Sequence, residues 1–384
     1  MEKCWLFNTT YNASDVHHWS GSGYYIAQSL VAADLELEYI GNLNEKFSLL
    51  WKAKTLFYRQ LLYKRYLRDR EPYLLKSYAK QVGNALKSSR ADIVFSPGSI
   101  PIAYLKTDKP IVYWADATFA GMIGFYPEFS NLCKETIENG NRMEQEALSK
   151  CSYAIYASEW AAKTAVNYYS VDAKKIKVVP FGANINCSRT ISDIEKIVRN
   201  RDAKKIRLLF CGVDWHRKGG DIVLKTAKML FAEGVDIELD VVGCRPPGLV
   251  PDFVKVHGFV SKKTAEGRRL LDNLFSDAHF LILPSQAECY GVVFAEASSF
   301  GLPSIATDVG GIPTVVKNGI NGQLFSIEDS ADKYCSYIKD VMSSRDQYRD
   351  LALGSFKEYE TRLNWSVAGR TVRDLICGIV DYRE

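Results

Sequence analysis

Short apolar and β-branched runs alternate along the chain with longer stretches in which apolar residues return every three or four positions. The runs Cys4–Asn8, Leu37–Gly41, Ile93–Ser96, Ile111–Trp114, Tyr153–Ala157 and Ile176–Pro180 read as strands separated by helical patterns. The rhythm restarts with strands at Ile206–Cys211, Ile237–Val242, Val254–His257, Phe280–Leu283 and Ser304–Ala306, and with helices opening near Gly220, Thr264 and Val293. Alternation of this kind predicts βαβ units and parallel sheet, and its restart predicts an α/β protein of two Rossmann-like domains in tandem. The polar, charge-rich segment Asn186–Lys205 breaks the pattern and places an interdomain linker at 182–204. The predicted domains are 1–182 and 183–364, followed by a helix over 365–384 that could return to the first domain.

Length agrees with two cores, because 384 residues exceed what one core usually serves and divide into domains of roughly 180 residues. With 47% hydrophobic and 24% charged residues, the chain is neither disordered nor collagen-like. Met1–Asn8 lacks a cationic region followed by a long apolar core, and no apolar run approaches the ~20 residues of a spanning helix. The expectation is a cytoplasmic chain, peripheral on the inner membrane face at most. The nine cysteines lie far apart and mostly in apolar runs, which predicts small buried hydrophobes in a reducing compartment. The five histidines show no ligand spacing, so no metal site is predicted.

A net charge of +4 is modest but unevenly spread. Between Lys46 and Arg90 stand twelve Lys/Arg against two acids, Asp69 and Glu71, interleaved with Phe47, Trp51, Phe57, Tyr58, Tyr63, Tyr66, Tyr73 and Tyr78. An anionic membrane surface fits such a segment; no nucleic-acid partner is expected. Solvated helix faces with aromatics turned to a core would give the same pattern.

In open α/β sheets ligands bind beyond the carboxyl ends of strands. One loop there, Pro284–Glu296, holds Glu288 and Glu296 on either side of Gly291 and a helix start. Two carboxylates so placed can accept hydrogen bonds from vicinal hydroxyls while the helix start takes a phosphate, although a helix cap and a solvated helix position would also explain them. A second loop, Gly212–Asp221, joins glycines to Arg217 and Lys218, as a diphosphate site or a solvated basic turn. A third, Val254–Ser261, is a strand entering a glycine turn with Phe259 and Val260. In the first half, Trp19–Tyr25 contains Gly21-Ser22-Gly23, and Asp116 follows the strand ending at Trp114.

Glu288 and Glu296 are followed by a small-residue helix ending Gly301-Leu302-Pro303, a strand ending Asp308-Val309-Gly310-Gly311, and Asn318-Gly319-Ile320-Asn321-Gly322. This ordered set resembles the donor-binding signature of retaining glycosyltransferases of family four, bacterial polysaccharide and glycolipid enzymes with the GT-B fold of two Rossmann-like domains facing a central cleft. Ala157–Ala162 and Val178–Asn184 extend the likeness, which covers most of 150–325, whereas residues 1–110 match in architecture alone.

The resemblance implies that Glu296 binds the donor ribose and Glu288 the transferred sugar. It implies that Lys218, with Arg217, meets the diphosphate, that Tyr290, Gly291, Val292 and Val293 line the donor at the helix start, and that the backbone near Phe259 and Val260 reads the base. Gly21, Ser22 and Gly23 would face the donor phosphates and the acceptor, and Asp116 would stand where relatives carry a histidine pointing at the sugar. Val213 occupies a position where the family commonly has a second arginine.

The expected reaction is metal-independent, cofactor-free transfer of a hexose from a UDP-sugar, glucose or galactose, to a saccharide or lipid-linked hydroxyl with retention of configuration. The alternatives are a sugar-nucleotide epimerase of the same architecture, against which the Glu288–Glu296 loop counts, and a catalytically silent nucleotide-sugar-binding protein. A nicotinamide-dependent dehydrogenase fits poorly, for want of a strand, Gly-x-Gly-x-x-Gly and helix with a downstream acid.

Overall fold

A computed structural model of the chain describes residues 4–16, 18–45, 48–201 and 204–381. They form two compact units, one from the chain up to Phe181 together with the segment from Trp365, the other Gly182–Asn364. No described helix is long and apolar enough to cross a membrane.

The first unit runs β1 (Cys4–Asn8), α1 (Ser22–Val31), β2 (Glu36–Ile40), α2 (Ser48–Leu61), α3 (Pro72–Leu86), β3 (Ile93–Ser96), β4 (Ile111–Ala115), α4 (Phe119–Met122), α5 (Lys134–Lys150), β5 (Tyr153–Tyr156), α6 (Glu159–Tyr168) and β6 (Ile176–Val178). Its six strands are parallel in the order β2-β1-β3-β4-β5-β6. Every residue of β1, β3 and β4 is buried, which explains their near-continuous apolar character.

The second unit runs α7 (Ile191–Asn200), β7 (Ile206–Cys211), α8 (Gly220–Ala232), β8 (Ile237–Val242), β9 (Val254–Gly258), α9 (Ala265–Asp277), β10 (Phe280–Leu283), α10 (Val292–Ser298), β11 (Ser304–Thr307), α11 (Ile312–Val315), β12 (Gly322–Phe325), α12 (Ala331–Ser343) and α13 (Arg345–Thr361). Its sheet is ordered β12-β11-β10-β7-β8-β9, again all parallel. Two parallel six-stranded α/β sheets in tandem are the two Rossmann-like units of a GT-B protein. The final helix, α14 (Trp365–Asp381), packs on α1 of the first unit, and the Trp365 ring lies 5.3 Å from Phe181 and 5.7 Å from Trp114.

Two sequence expectations need correction. Residues 182–204 are not a structureless linker, because α7 occupies 191–200, opens with a reciprocal Thr190–Asp193 capping box and buries Ile194. Its many charges are the outer face of an amphipathic helix, which composition alone cannot tell from a loop; residues 202 and 203 of the segment lie outside the described ones. The strand β12 went unread because its four residues begin Gly-Gln and form the sheet edge.

Beneath the first sheet lies a buried polar network. Glu144 of α5 accepts hydrogen bonds from Ser99 Oγ (2.7 Å) and the Tyr113 hydroxyl (3.4 Å), and Tyr113 is bonded in turn to the Tyr156 hydroxyl. Burial holds the Glu144 carboxyl above the ordinary carboxylate range, although Ser99, the Arg70 charge and Tyr113 all act downward. A carboxyl with a raised folded pKa binds more protons folded than unfolded, so it removes stability as pH climbs from the ordinary value to the folded one. Glu144→Gln should therefore gain stability relative to the parent as pH rises from 4.5 upward. Denaturant midpoints of the two proteins measured side by side would show it, and a gap that does not vary with pH would refute it.

Candidate functional site

In the second unit β7 is central. The chain leaves it for β8 on one side, later returns through β10 on the other, and so leaves a crevice beyond the carboxyl ends of β7 and β10. The loops after these two strands, 212–219 and 284–291, are fastened together there. The Gln286 N–H donates to the Arg217 carbonyl (2.7 Å), and Arg217 Nη1 donates to the Ala287 carbonyl (2.9 Å). Gly219 adopts φ +76°, and a Cβ on it would lie 2.0 Å from the Pro284 carbonyl oxygen, so only glycine fits this close approach.

Lys218 and Glu288 meet inside this crevice. Lys218 Nζ is ion-paired with Glu288 Oε2, the two side chains being 11% and 13% exposed, and Arg217 Nη1 lies 3.8 Å from the same oxygen. Glu288 does not cap α10, whose cap is the left-handed Gly291 without a side-chain bond. Glu296, on the second turn of α10, is 4% exposed and so is not a solvated helix residue. It is ion-paired with Lys262 Nζ from the loop after β9. That loop carries Phe259, 77% exposed, and Val260. Each glutamate of the pair thus holds a lysine from a different loop, and the three loops converge on one crevice.

Tyr290 is buried, its ring belongs to the core, and that burial pushes its hydroxyl above the ordinary tyrosine range. Val292 and Val293 are half-buried in the first turn of α10. The loop 212–219 is also stapled from below, where Trp215 Nε1 donates to Asp221 Oδ1 (2.8 Å) and His216 Nδ1 lies 2.9 Å from Asp221 Oδ2.

The residues singled out in the first half form their own cluster beyond β1 and β4. Trp19 and Ser20 have φ of 50° and 53°, Gly21 follows at 87° as the cap of α1, and Trp19 Nε1 donates to Asp116 Oδ2 (3.1 Å). A left-handed tryptophan is costly for its bulk. Asp116 is not a helix cap, that role at α4 falling to Thr118. Beside them the Tyr11 hydroxyl lies against Gly23, where a Cβ would be 2.1 Å away. It is buried without a hydrogen-bond partner among the described residues, and burial, with the Asp116 charge, pushes it up to about 12.

Lys262 and Tyr11 went unremarked in the sequence. Lys262 stands two residues after Val260 in a loop already singled out, whereas nothing in the spacing marks Tyr11.

The two units are the Rossmann-like pair of the GT-B fold, and residues 205–344 match the family described as glycosyl transferases group 1. The matched residues all lie within the second unit. A D-inositol 3-phosphate glycosyltransferase of Nocardiopsis dassonvillei is 24% identical over 249 residues, 61% of this chain and 57% of that one. The chain thus spans little more than half of this curated relative. Among solved structures, the sucrose-phosphate synthase of Thermosynechococcus elongatus superposes with TM-score 0.70 at 15% identity, covering 99% of this chain and 100% of that one. Anabaena HepE, solved in complex with UDP-glucose, superposes with TM-score 0.62 at 15% identity, covering 98% and 99%.

The contact at Gly219 is testable without any ligand. Gly219→Ala should destabilise the second unit by more than the ~1–2 kcal/mol of a left-handed non-glycine residue alone, because the added carbon also meets the Pro284 carbonyl. Denaturation of parent and variant measures this, and an unchanged midpoint would separate the two loops.

Proposed function

We propose that the protein is a retaining, metal-independent hexosyltransferase that takes a sugar from a nucleotide-sugar donor, UDP-glucose or UDP-galactose, and places it on an acceptor hydroxyl in cell-surface polysaccharide or glycolipid synthesis. The observation that carries this reading is the pair Glu288–Lys218 and Glu296–Lys262 at the β7/β10 crevice. A diphosphate entering between the loops draws Lys218 and Arg217 from Glu288 by charge-assisted hydrogen bonds. Glu288 is then released to accept from hydroxyls of the transferred sugar, as Glu296 accepts from the ribose. Charge developing on the leaving phosphate is met by Arg217, Lys218 and the backbone at the start of α10, with no step assigned to a metal. In the first unit Asp116, held by Trp19, is an acceptor suited to a sugar hydroxyl. The leaving phosphate oxygen takes the acceptor proton on the same face, which retains the configuration.

Lys218→Ala and Glu296→Ala should each weaken nucleotide binding, the first by roughly 1.5–3 kcal/mol for a charge-assisted contact. Glu288→Gln should spare binding and depress turnover. Calorimetry with UDP and a turnover assay containing EDTA separate these outcomes. Unchanged affinity in both alanine variants removes the site assignment, and turnover abolished by EDTA and restored by magnesium removes the metal-independent reading. A protein that binds donor but neither hydrolyses nor transfers it is the silent binding protein instead.

The basic segment gives the reaction a place. Lys46 and Phe47 lie outside the described residues. Of the other cations, Lys54 pairs with Glu71 and Glu135, Arg68 with Glu45, Arg70 with Asp69 and Arg90 with Glu36, so the charge excess counted along the sequence is partly neutralised. Trp51, Tyr66 and Tyr78 are core residues. On α2, however, Leu49, Leu50, Leu56, Phe57 and Leu61 are all exposed and recur on one face, with exposed Lys52 and Arg59 beside them. Lys64, Arg65 and Arg68 follow, also exposed. An apolar stripe edged with cations fits an anionic bilayer surface, each cation near it contributing on the order of 1 kcal/mol. Sedimentation with anionic vesicles should be salt-sensitive and should fall when Lys64, Arg65 and Arg68 become glutamate and again when Phe57 becomes serine. Equal sedimentation with neutral vesicles, or none with either, leaves α2 facing water.

A further inference from the structure

A cavity of about 350 Å³ opens in the second unit between α7, the start of α13 and His279. His279 precedes β10, so the cavity lies at the amino end of that strand, whereas Glu288 and Lys218 lie beyond its carboxyl end. Its volume is at the lower end of the ~300–1,000 Å³ usual for small-ligand sites.

Four arginines line it, Arg199, Arg201, Arg345 and Arg349, against a single acid, Glu195. Arg349 lies 3.4 Å from Glu195, while Arg199, Arg201 and Arg345 make no ion pair among the described residues. Arg201 is the telling member. Its side chain is buried, at 7% exposure, and its guanidinium donates to the carbonyls of Ser276 (3.1 Å), Gly301 (2.8 Å) and Phe300 (3.0 Å) and to the Tyr348 hydroxyl (2.8 Å). Three of these acceptors are carbonyls at the carboxyl ends of α9 and α10, whose partial negative charge meets the guanidinium in part, and among the described residues no carboxylate pairs with it, so an anion entering the cavity finds a fixed positive floor. Arg345 also begins a 17-residue helix, whose amino end adds partial positive charge at the mouth.

We propose that this cavity is a second ligand site, separate from the donor crevice, which binds the phosphate monoester of a small molecule. Arg201 fixes the charge of the floor, Arg199 and Arg345 close on the phosphate as forked donors, and the Tyr348 ring supplies an apolar wall. The site stands apart from the proposed reaction, and its failure would leave that reading untouched.

The test is binding of glycerol 3-phosphate, followed by phosphorus NMR at constant ionic strength, to the parent, to Lys218→Ala and to Arg199→Ala/Arg345→Ala. Both arginines are exposed, so the double variant should fold, and its melting curve checks this. Parent and Lys218→Ala should bind equally, and the double variant should bind at least ~10-fold more weakly for the loss of two charge-assisted contacts. Equal binding by the double variant, loss in Lys218→Ala, or no binding by the parent would each overturn the proposal. Phosphatidic acid vesicles distinguish a lipid source. Sedimentation that falls in the double variant while the parent ignores glycerol 3-phosphate would overturn the small-molecule reading.

Discussion

The pairing of β10 with β7 is the constraint on which the candidate donor site depends. Because the chain departs from β7 to one side and comes back on the other, Phe280 and Leu281 lie beside Leu208 and Leu209, and the loops leaving both strands are forced against each other. The bonds between Gln286, Ala287 and Arg217 and the tight approach at Gly219 are consequences of that register. β10 is buried throughout and β7 at four of its six positions, so the crevice is floored by packed sheet.

Within that frame, charge is balanced before any ligand arrives. A buried carboxylate or ammonium without a partner is costly, and removing one member of a buried pair strands the other. Glu288 and Glu296 avoid that cost by holding Lys218 and Lys262. Lys218 is thus kept inside the crevice, at the height of the loops, while Lys262 stays 45% exposed at its edge. On the proposed reading, binding would be an exchange of partners, carboxylate for phosphate on the lysine and lysine for hydroxyl on the carboxylate, with little new burial of bare charge.

How far this could be read from the chain differs between the two units. Parallel strands buried on both faces leave a plain apolar signature, and β1, β3, β7, β8 and β10 lie where the hydrophobic runs end. Loops with an unusual residue order were equally legible, since Lys218, Glu288 and Glu296 are local patterns that topology then brings together. What escaped was whatever depends on a distant partner. The pairing of Lys262 with Glu296 joins residues 34 apart, and the contact of Tyr11 with Gly23 joins two positions no period relates. The face of α2 escaped for another reason. Its leucines fit a core stripe as well as an exposed one, and only the fold shows that Trp51, with Lys54 and Tyr58, turns inward while the leucines stay outside.

The arginine cavity and the β7/β10 crevice are joined by one element. Arg201 holds the carbonyls of Phe300 and Gly301 just beyond α10, while Glu296, on that same helix, faces Lys262. An element transmits between two sites only when it has two arrangements that the sites favour differently. In α10, Phe294 to Ser298 are all buried, and the helix is seven residues long, so packing at native density leaves it a single position. Occupation of one site should then leave affinity at the other unchanged. A ligand in the arginine cavity would stabilise the second unit as a whole, adding to the effect of a nucleotide-sugar without altering it.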